Sequence, residues 1–407
     1  MNSMTIDRRT FLAATATLPL VSRFACARAA SVPGARFVFI LLRGALDGLA
    51  AVPPHGDPAY AGLRRELAIP PPGAASGGLR LDATFALHPG CGFLHECWGA
   101  RELLIAHAVA TPYRERSHFA GQDVLENGGA RPHALATGWL NRALAALPAG
   151  ARAGAREARR EAGVALGQNL PLAMRGPAAV ASWSPSRLPA LDDDTLARIT
   201  DLYAHDPVLS VRLADALAAD DVARGASMET AQRAAGARYL EAMRAAGSFL
   251  VRENGPQVAM LDTTGWDTHA NEGGAQGQLA TRLGALDAGL RALKEALGAA
   301  WSRSVVVLAT EFGRTAAVNG TRGTDHGTAT VAFVLGGAVE GGRMLTDWPG
   351  LSRGALYQQR DLAPTLDLRS VLKGVLHDHL RVSSAALDSD VFPDSSMVRP
   401  AKDLIRA

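Results

Sequence analysis

The clearest hydrophobic pattern is the run Arg-Phe-Val-Phe-Ile-Leu-Leu over 36–42, which stops just short of Gly44 and Gly48. An apolar stretch this short, rich in β-formers and without polar alternation, predicts a strand buried on both faces. Four more runs read the same way, at 103–109, 257–261, 304–310 and 330–336. Between them lie segments of helical character. Ser117 opens one that closes at Asn127-Gly128-Gly129, and 138–160 is another, loosened by Ala, Gly and Arg over 149–156. Residues 192–252 are helical with breaks at Pro207 and Gly225, 276–299 form a long helix, and 361–377 a last one. The Pro- and Gly-dense stretch 53–90 predicts a surface wrap. Strands alternating with helices predict an α/β fold with a largely parallel central sheet and helices on both faces.

In such sheets ligands collect beyond the carboxyl ends of the strands. Asp47 follows the first strand, Ser117 the second, Asp267 and His269 the third, and Glu311 the fourth. His326 precedes the fifth in the Gly-flanked segment Gly323-Thr-Asp325-His326-Gly327. Asp267-Thr-His269 and Asp325-His326 each set a carboxylate beside an imidazole, and Asp47 and Glu311 add oxygens. Mixed nitrogen and oxygen donors suit Zn²⁺ or Mn²⁺, with Ca²⁺ less well matched. A set this rich holds one ion, or two about 4 Å apart, the spacing of two-metal ester chemistry. Ser117, at a helix start, is the candidate nucleophile, with a plain N-cap as its rival role. Arg314 can fork onto the oxygens of an anionic ester, and His118 can protonate the leaving group.

Composition narrows the class. The 407 residues are 48% apolar and 20% charged, far from a disordered chain. The net charge of +3 comes entirely from Arg8, Arg9, Arg23 and Arg28 set against Asp7. The remainder is neutral, which argues against nucleic acid as a partner. Those arginines sit in Asp7-Arg8-Arg9-Thr10-Phe11-Leu12, followed by the apolar run 13–21 and by Ala27-Arg28-Ala29. Charged start, short apolar stretch and small-residue exit form a secretory signal, here with the twin arginines of the folded-protein export route. The apolar run is short of the ~20 residues that span a bilayer. The expected organisation is a signal peptide over 1–30 and one domain over 31–407 carrying a helical insertion at about 190–252. Cys91 and Cys97 remain after cleavage, either as an optional disulfide or as two core thiols.

Five motifs carry a family resemblance: the twin-arginine start, Arg116-Ser117-His118-Phe119, Gly265-Trp266-Asp267-Thr268-His269, Thr310-Glu311-Phe312-Gly313-Arg314-Thr315 and Thr324-Asp325-His326-Gly327. Together they resemble the exported family called domain of unknown function 1501 over about residues 36–380, and more broadly the alkaline phosphatase/sulfatase superfamily. The resemblance implies a three-layer sandwich of the alkaline phosphatase kind. It also implies a metal-dependent hydrolase of phosphate or sulfate esters, periplasmic or secreted, that reaches its compartment through the twin-arginine translocase. The alternative is a non-catalytic, metal-stabilised envelope protein of the same fold. Three departures matter. Glu311-Phe312 stands where phosphatases carry Asp-His, Asp267 and His269 are separated by one residue instead of three, and the Cys/Ser-x-Pro-x-Arg maturation pattern of sulfatases is absent. The last disfavours a formylglycine sulfatase.

Overall fold

Strand β1 (Arg36–Arg43) sits inside a nine-stranded sheet in the computed structural model. The structure describes residues 34–148, 161–167, 169–184, 199, 203, 206–213 and 235–406. The signal segment 1–30, Cys26 and most of the 190–252 insertion fall outside those residues. The remaining strands are β2 (Leu103–Ala110), β3 (Gly163–Leu166), β4 (Val180–Trp183), β5 (Val258–Thr264), β6 (Ser304–Ala309), β7 (Thr330–Leu335), β8 (Arg343–Leu345) and β9 (Leu366–Asp367). Their order is β8-β2-β7-β6-β1-β5-β3-β4, with the short β9 also paired to β2. Every pairing is parallel except those of β7, which runs against both β6 and β2.

Both faces of the sheet are covered, which is why its strands carry no polar alternation. Val38, Ile40 and Leu42 of β1 point to one side, Phe37, Phe39 and Leu41 to the other. The first set packs against α3 (Gly92–Gly99), α6 (Ala235–Val251) and α7 (Gln278–Leu297), through Leu94, Phe249, Leu283 and Leu290. The second meets α5 (Trp139–Ala145) and α8 (Leu368–Leu380), where Phe39 and Trp139 stack edge-on with ring centroids 5.0 Å apart. Three further helices complete the frame around the site: α1 (Gly48–Ala51), α2 (Tyr60–Arg64) and α4 (His118–Asn127). The result is a mixed α/β protein with a mostly parallel sheet between two helical layers.

The final helix starts later than the pattern predicts. Asp367 caps it by accepting from the Arg369 amide at 2.8 Å, while Asp361 forms β-bridges to Thr315 and Tyr357 instead of joining the helix. Strands β3 and β4, four residues each, were not expected. Cys91 and Cys97 are both free and buried; burial pushes the Cys97 thiol up to about 12. Among the described residues no helix is long and apolar enough to cross a membrane.

Candidate metal centre

Polar groups converge at the rim where the parallel strands end. Asp267 and His269 come from the loop after β5, and Glu311 from the end of β6. His326 joins them because β7 is antiparallel, so the residues before it lie at the same edge as those after its neighbours. His118 is the first residue of α4, with Ser117 as the N-cap position.

Three imidazoles turn their Nε2 atoms towards one another. His326 Nε2 lies 2.9 Å from His118 Nε2 and 2.9 Å from His269 Nε2. The Asp267 carboxylate closes the ring, Oδ1 at 3.0 Å from His269 Nε2 and 3.3 Å from His326 Nε2, and Oδ2 at 3.3 Å from His118 Nε2. Ligand atoms of His118, Asp267 and His326 all lie within 4.8 Å of one another, so this cluster can hold a metal ion.

The outer nitrogens decide the tautomers. His118 Nδ1 is 2.8 Å from Glu311 Oε1, His326 Nδ1 is 2.9 Å from the Arg116 carbonyl, and His269 Nδ1 is 3.3 Å from Asp325 Oδ1. Each partner accepts and cannot donate as a carboxylate or carbonyl, so the proton of each neutral ring belongs on Nδ1. That leaves three Nε2 lone pairs facing one another and a carboxylate. Such a set repels itself unless a proton or a cation sits among it. The donor set therefore fits a metal ion, with an outer acceptor fixing each histidine as in known metal sites.

The electrostatics follow from the same contacts. The hydrogen bond to Glu311 raises the His118 pKa above the usual imidazole value in spite of partial burial. Burial, aided by the neighbouring His118, lowers that of His326. Burial alone would raise Asp267 and Glu311. Arg314 holds the first below the ordinary carboxylate range, and donation from His118, Gln122 and Thr310 does the same for the second. Asp325 is also lowered, chiefly by the Asn319 amide.

Glu311 is fully buried, and its Oε1 accepts from His118, from the Gly44 amide at 2.8 Å and from Gln122 Nε2 at 3.0 Å. Its place is behind His118. Asp325 likewise stands behind His269, so among the described residues His118, Asp267, His269 and His326 are the ones that face the centre. Arg314 is buried with Nη1 on Asp267 Oδ1 at 2.6 Å, Nε on Thr324 Oγ1 at 3.1 Å and Nη2 on the Thr324 carbonyl at 2.5 Å. All three of its nitrogens are committed, so it steadies a ligand and does not reach outward. Asp47 is not brought into the ring. Its Oδ1 caps α1 through the amides of Leu49 and Ala50, and its Oδ2 pairs with buried Arg64. Ser117 is exposed, and its hydroxyl makes no capping hydrogen bond to α4.

Several residues of the arrangement have roles that the sequence does not announce. Arg116 adopts a left-handed φ of 60°, which aims its carbonyl at His326; its position immediately before Ser117 is the only hint in the sequence. Gln122 backs His118 through Glu311 and Thr324 backs Asp267 through Arg314; Thr324 lies in the motif around His326 without announcing that role, while Gln122, Arg64 and Glu272 read as ordinary helix or loop residues. Comparison with curated proteins finds no match. Residues 98–391, which hold the three histidines, Asp267 and Glu311, match a family whose description is protein of unknown function, DUF1501, and the chain belongs to that family.

Proposed function

We propose that this protein is an exported hydrolase of phosphate or sulfate esters that works with a single divalent metal ion. The observation that carries the reading is the inward convergence of three Nε2 atoms and the Asp267 carboxylate, each imidazole held from outside by an acceptor. A nitrogen-rich set favours Zn²⁺ or Mn²⁺ over Ca²⁺, which takes oxygen ligands. One ion is favoured because Glu311 and Asp47, the oxygens a second would need, are occupied by protein donors. When bound, the ion supplies charge stabilisation to the ester oxygens and lowers the pKa of a nearby hydroxyl.

The chain's own part falls to Ser117. Its hydroxyl is exposed, adjoins a ligand and is not used as a helix cap. The open first-turn amides of α4 favour a negatively charged substrate at that position. Attack by Oγ on phosphorus or sulfur forms a new ester bond and expels the alcohol; water then releases the acid and restores the serine. The order of strands and motifs supports kinship with the alkaline phosphatase/sulfatase superfamily, and Arg8-Arg9 supports twin-arginine export to the periplasm or beyond. A second reading, a non-catalytic metal-stabilised envelope protein, is favoured by Arg314, whose donors are all turned inward.

Purified protein should contain about one equivalent of metal and turn over a member of a panel of aryl phosphates and sulfates. Ser117→Ala should abolish turnover and leave metal content unchanged. Stoichiometric metal with no turnover across the panel gives the second reading; no bound metal removes both.

A further inference from the structure

From Asp267 inward, starting at Arg314, a line of buried polar groups runs into the protein. Arg314 Nε donates to Thr324 Oγ1, and Thr324 Oγ1 donates on to Glu272 Oε2 at 2.7 Å. Glu272 is fully buried, and its Oε1 stands 3.6 Å from Arg64 Nη2, which also pairs with Asp47. Arg64 Nη1 in turn donates to the Thr315 carbonyl at 3.3 Å. The chain of contacts thus links α2 and the cap of α1 to a metal-facing carboxylate.

The hydroxyl of Thr324 is the joint. It has one proton to give; because it gives that to Glu272, its lone pair is turned to Arg314 Nε. The backbone reinforces the joint: Thr324 N donates to the Thr268 carbonyl at 3.2 Å and Glu272 N to the Arg322 carbonyl at 3.0 Å, so the loops carrying Asp267 and His326 are stitched together. Burial and the adjacent Asp47 push Glu272 up to about 8, so near neutrality it keeps a proton. Buried Arg64 and Arg314 are then matched by buried Asp47 and by the partly exposed Asp267.

We infer that Thr324 and Glu272 are positioning residues of the metal centre, acting through Arg314 to hold the Asp267 carboxylate at the angle at which it meets the ion. The inference rests on the metal reading above. Partners at this remove from an ion commonly alter its affinity by 10–100-fold.

The test is titration of the full chain with Zn²⁺ and, separately, Mn²⁺, alongside thermal unfolding of the metal-free protein. Thr324→Val removes the hydroxyl and keeps the shape; it should weaken the affinity by about 10-fold. Thr324→Ser restores the hydroxyl and should bring the affinity back to within about 2-fold. Glu272→Gln still offers Thr324 an acceptor and should remain within about 3-fold of the parent. Should Thr324→Val not fold, Thr324→Ala supplies the same comparison against Thr324→Ser. A hydroxyl-less variant that unfolds earlier yet binds both metals like the parent shows a merely structural role and overturns the inference alone. A parent protein that binds neither ion overturns the metal reading, and the inference with it.

Discussion

An imidazole acts as ligand or as acid according to what its second nitrogen touches. The motif around Ser117 gives His118 no partner, and so it reads as a proton donor for a leaving group. In the folded chain Glu311 accepts a hydrogen bond from the Nδ1–H, and Nε2 turns to the centre. Glu311→Gln should therefore weaken metal affinity by about 10-fold without removing a ligand. A Gln carbonyl in the place of Oε1 still accepts from the Gly44 amide and from His118, but as a neutral acceptor it holds the Nδ1–H of His118 less strongly than the carboxylate does. Zn²⁺ titration checks this; complete loss of binding would instead make Glu311 a ligand. Asp267, His269 and His326 were legible because each lies in a short Gly-containing segment next to an apolar run, the first two after one and His326 ahead of one. Asp47 has the same local signature, and nothing in Asp47-Gly48 distinguishes a helix cap paired with Arg64 from a ligand. Arg64 is 17 positions away and unmarked. Arg314 shows the reverse limit: its spacing from Glu311 suggests an outward fork, but burial leaves it no outward donor.

At the scale of elements, the long strands were legible because five to eight apolar residues in a row have few alternatives. Strands β3 and β4 were not, since four residues amid Ala-rich sequence carry too little pattern to outweigh helical composition. Strand direction is also invisible to periodicity, and here it decides the site: a parallel β7 would have carried His326 to the opposite edge. Where β1 ends, Gly44 makes the centre geometrically possible. Its φ is 120°, its amide donates to Glu311, and a Cβ there would stand 2.7 Å from the Asp267 amide nitrogen. Gly44→Ala combines an unfavourable backbone region with a clash against a ligand loop. It should cost about 2 kcal/mol or more in stability and reduce metal uptake, as urea titration and metal analysis would show. Unchanged stability would mean that the β1 turn yields more easily than its packing suggests.

For the whole molecule, the buried Arg64–Asp47–Glu272 group sets a pH signature. The folded pKa of Glu272, about 8, lies above its ordinary 4.5. Its contribution to stability is therefore fully present below about 4.5 and is lost as pH rises through 8. Asp47 is shifted the other way, so its share is present above its ordinary value of 3.8 and is lost in stronger acid. Between pH 7 and 9 the parent should lose about 1 kcal/mol through Glu272. Glu272→Gln should flatten that limb. Denaturant titrations of both proteins at several pH values decide it, and parallel curves would mean that Glu272 is already ionised at pH 7.

The residues that face the centre enter from well-separated stretches of chain: one at the head of α4, two beyond β5 and one ahead of β7. The two that are near neighbours in sequence, Asp267 and His269, amount to half a grip. An extended chain consequently offers an ion no local chelate. The strands must first be threaded into order before the four side chains share a space, so an ion held there would be a late guest in a finished house and not a seed around which the fold crystallises.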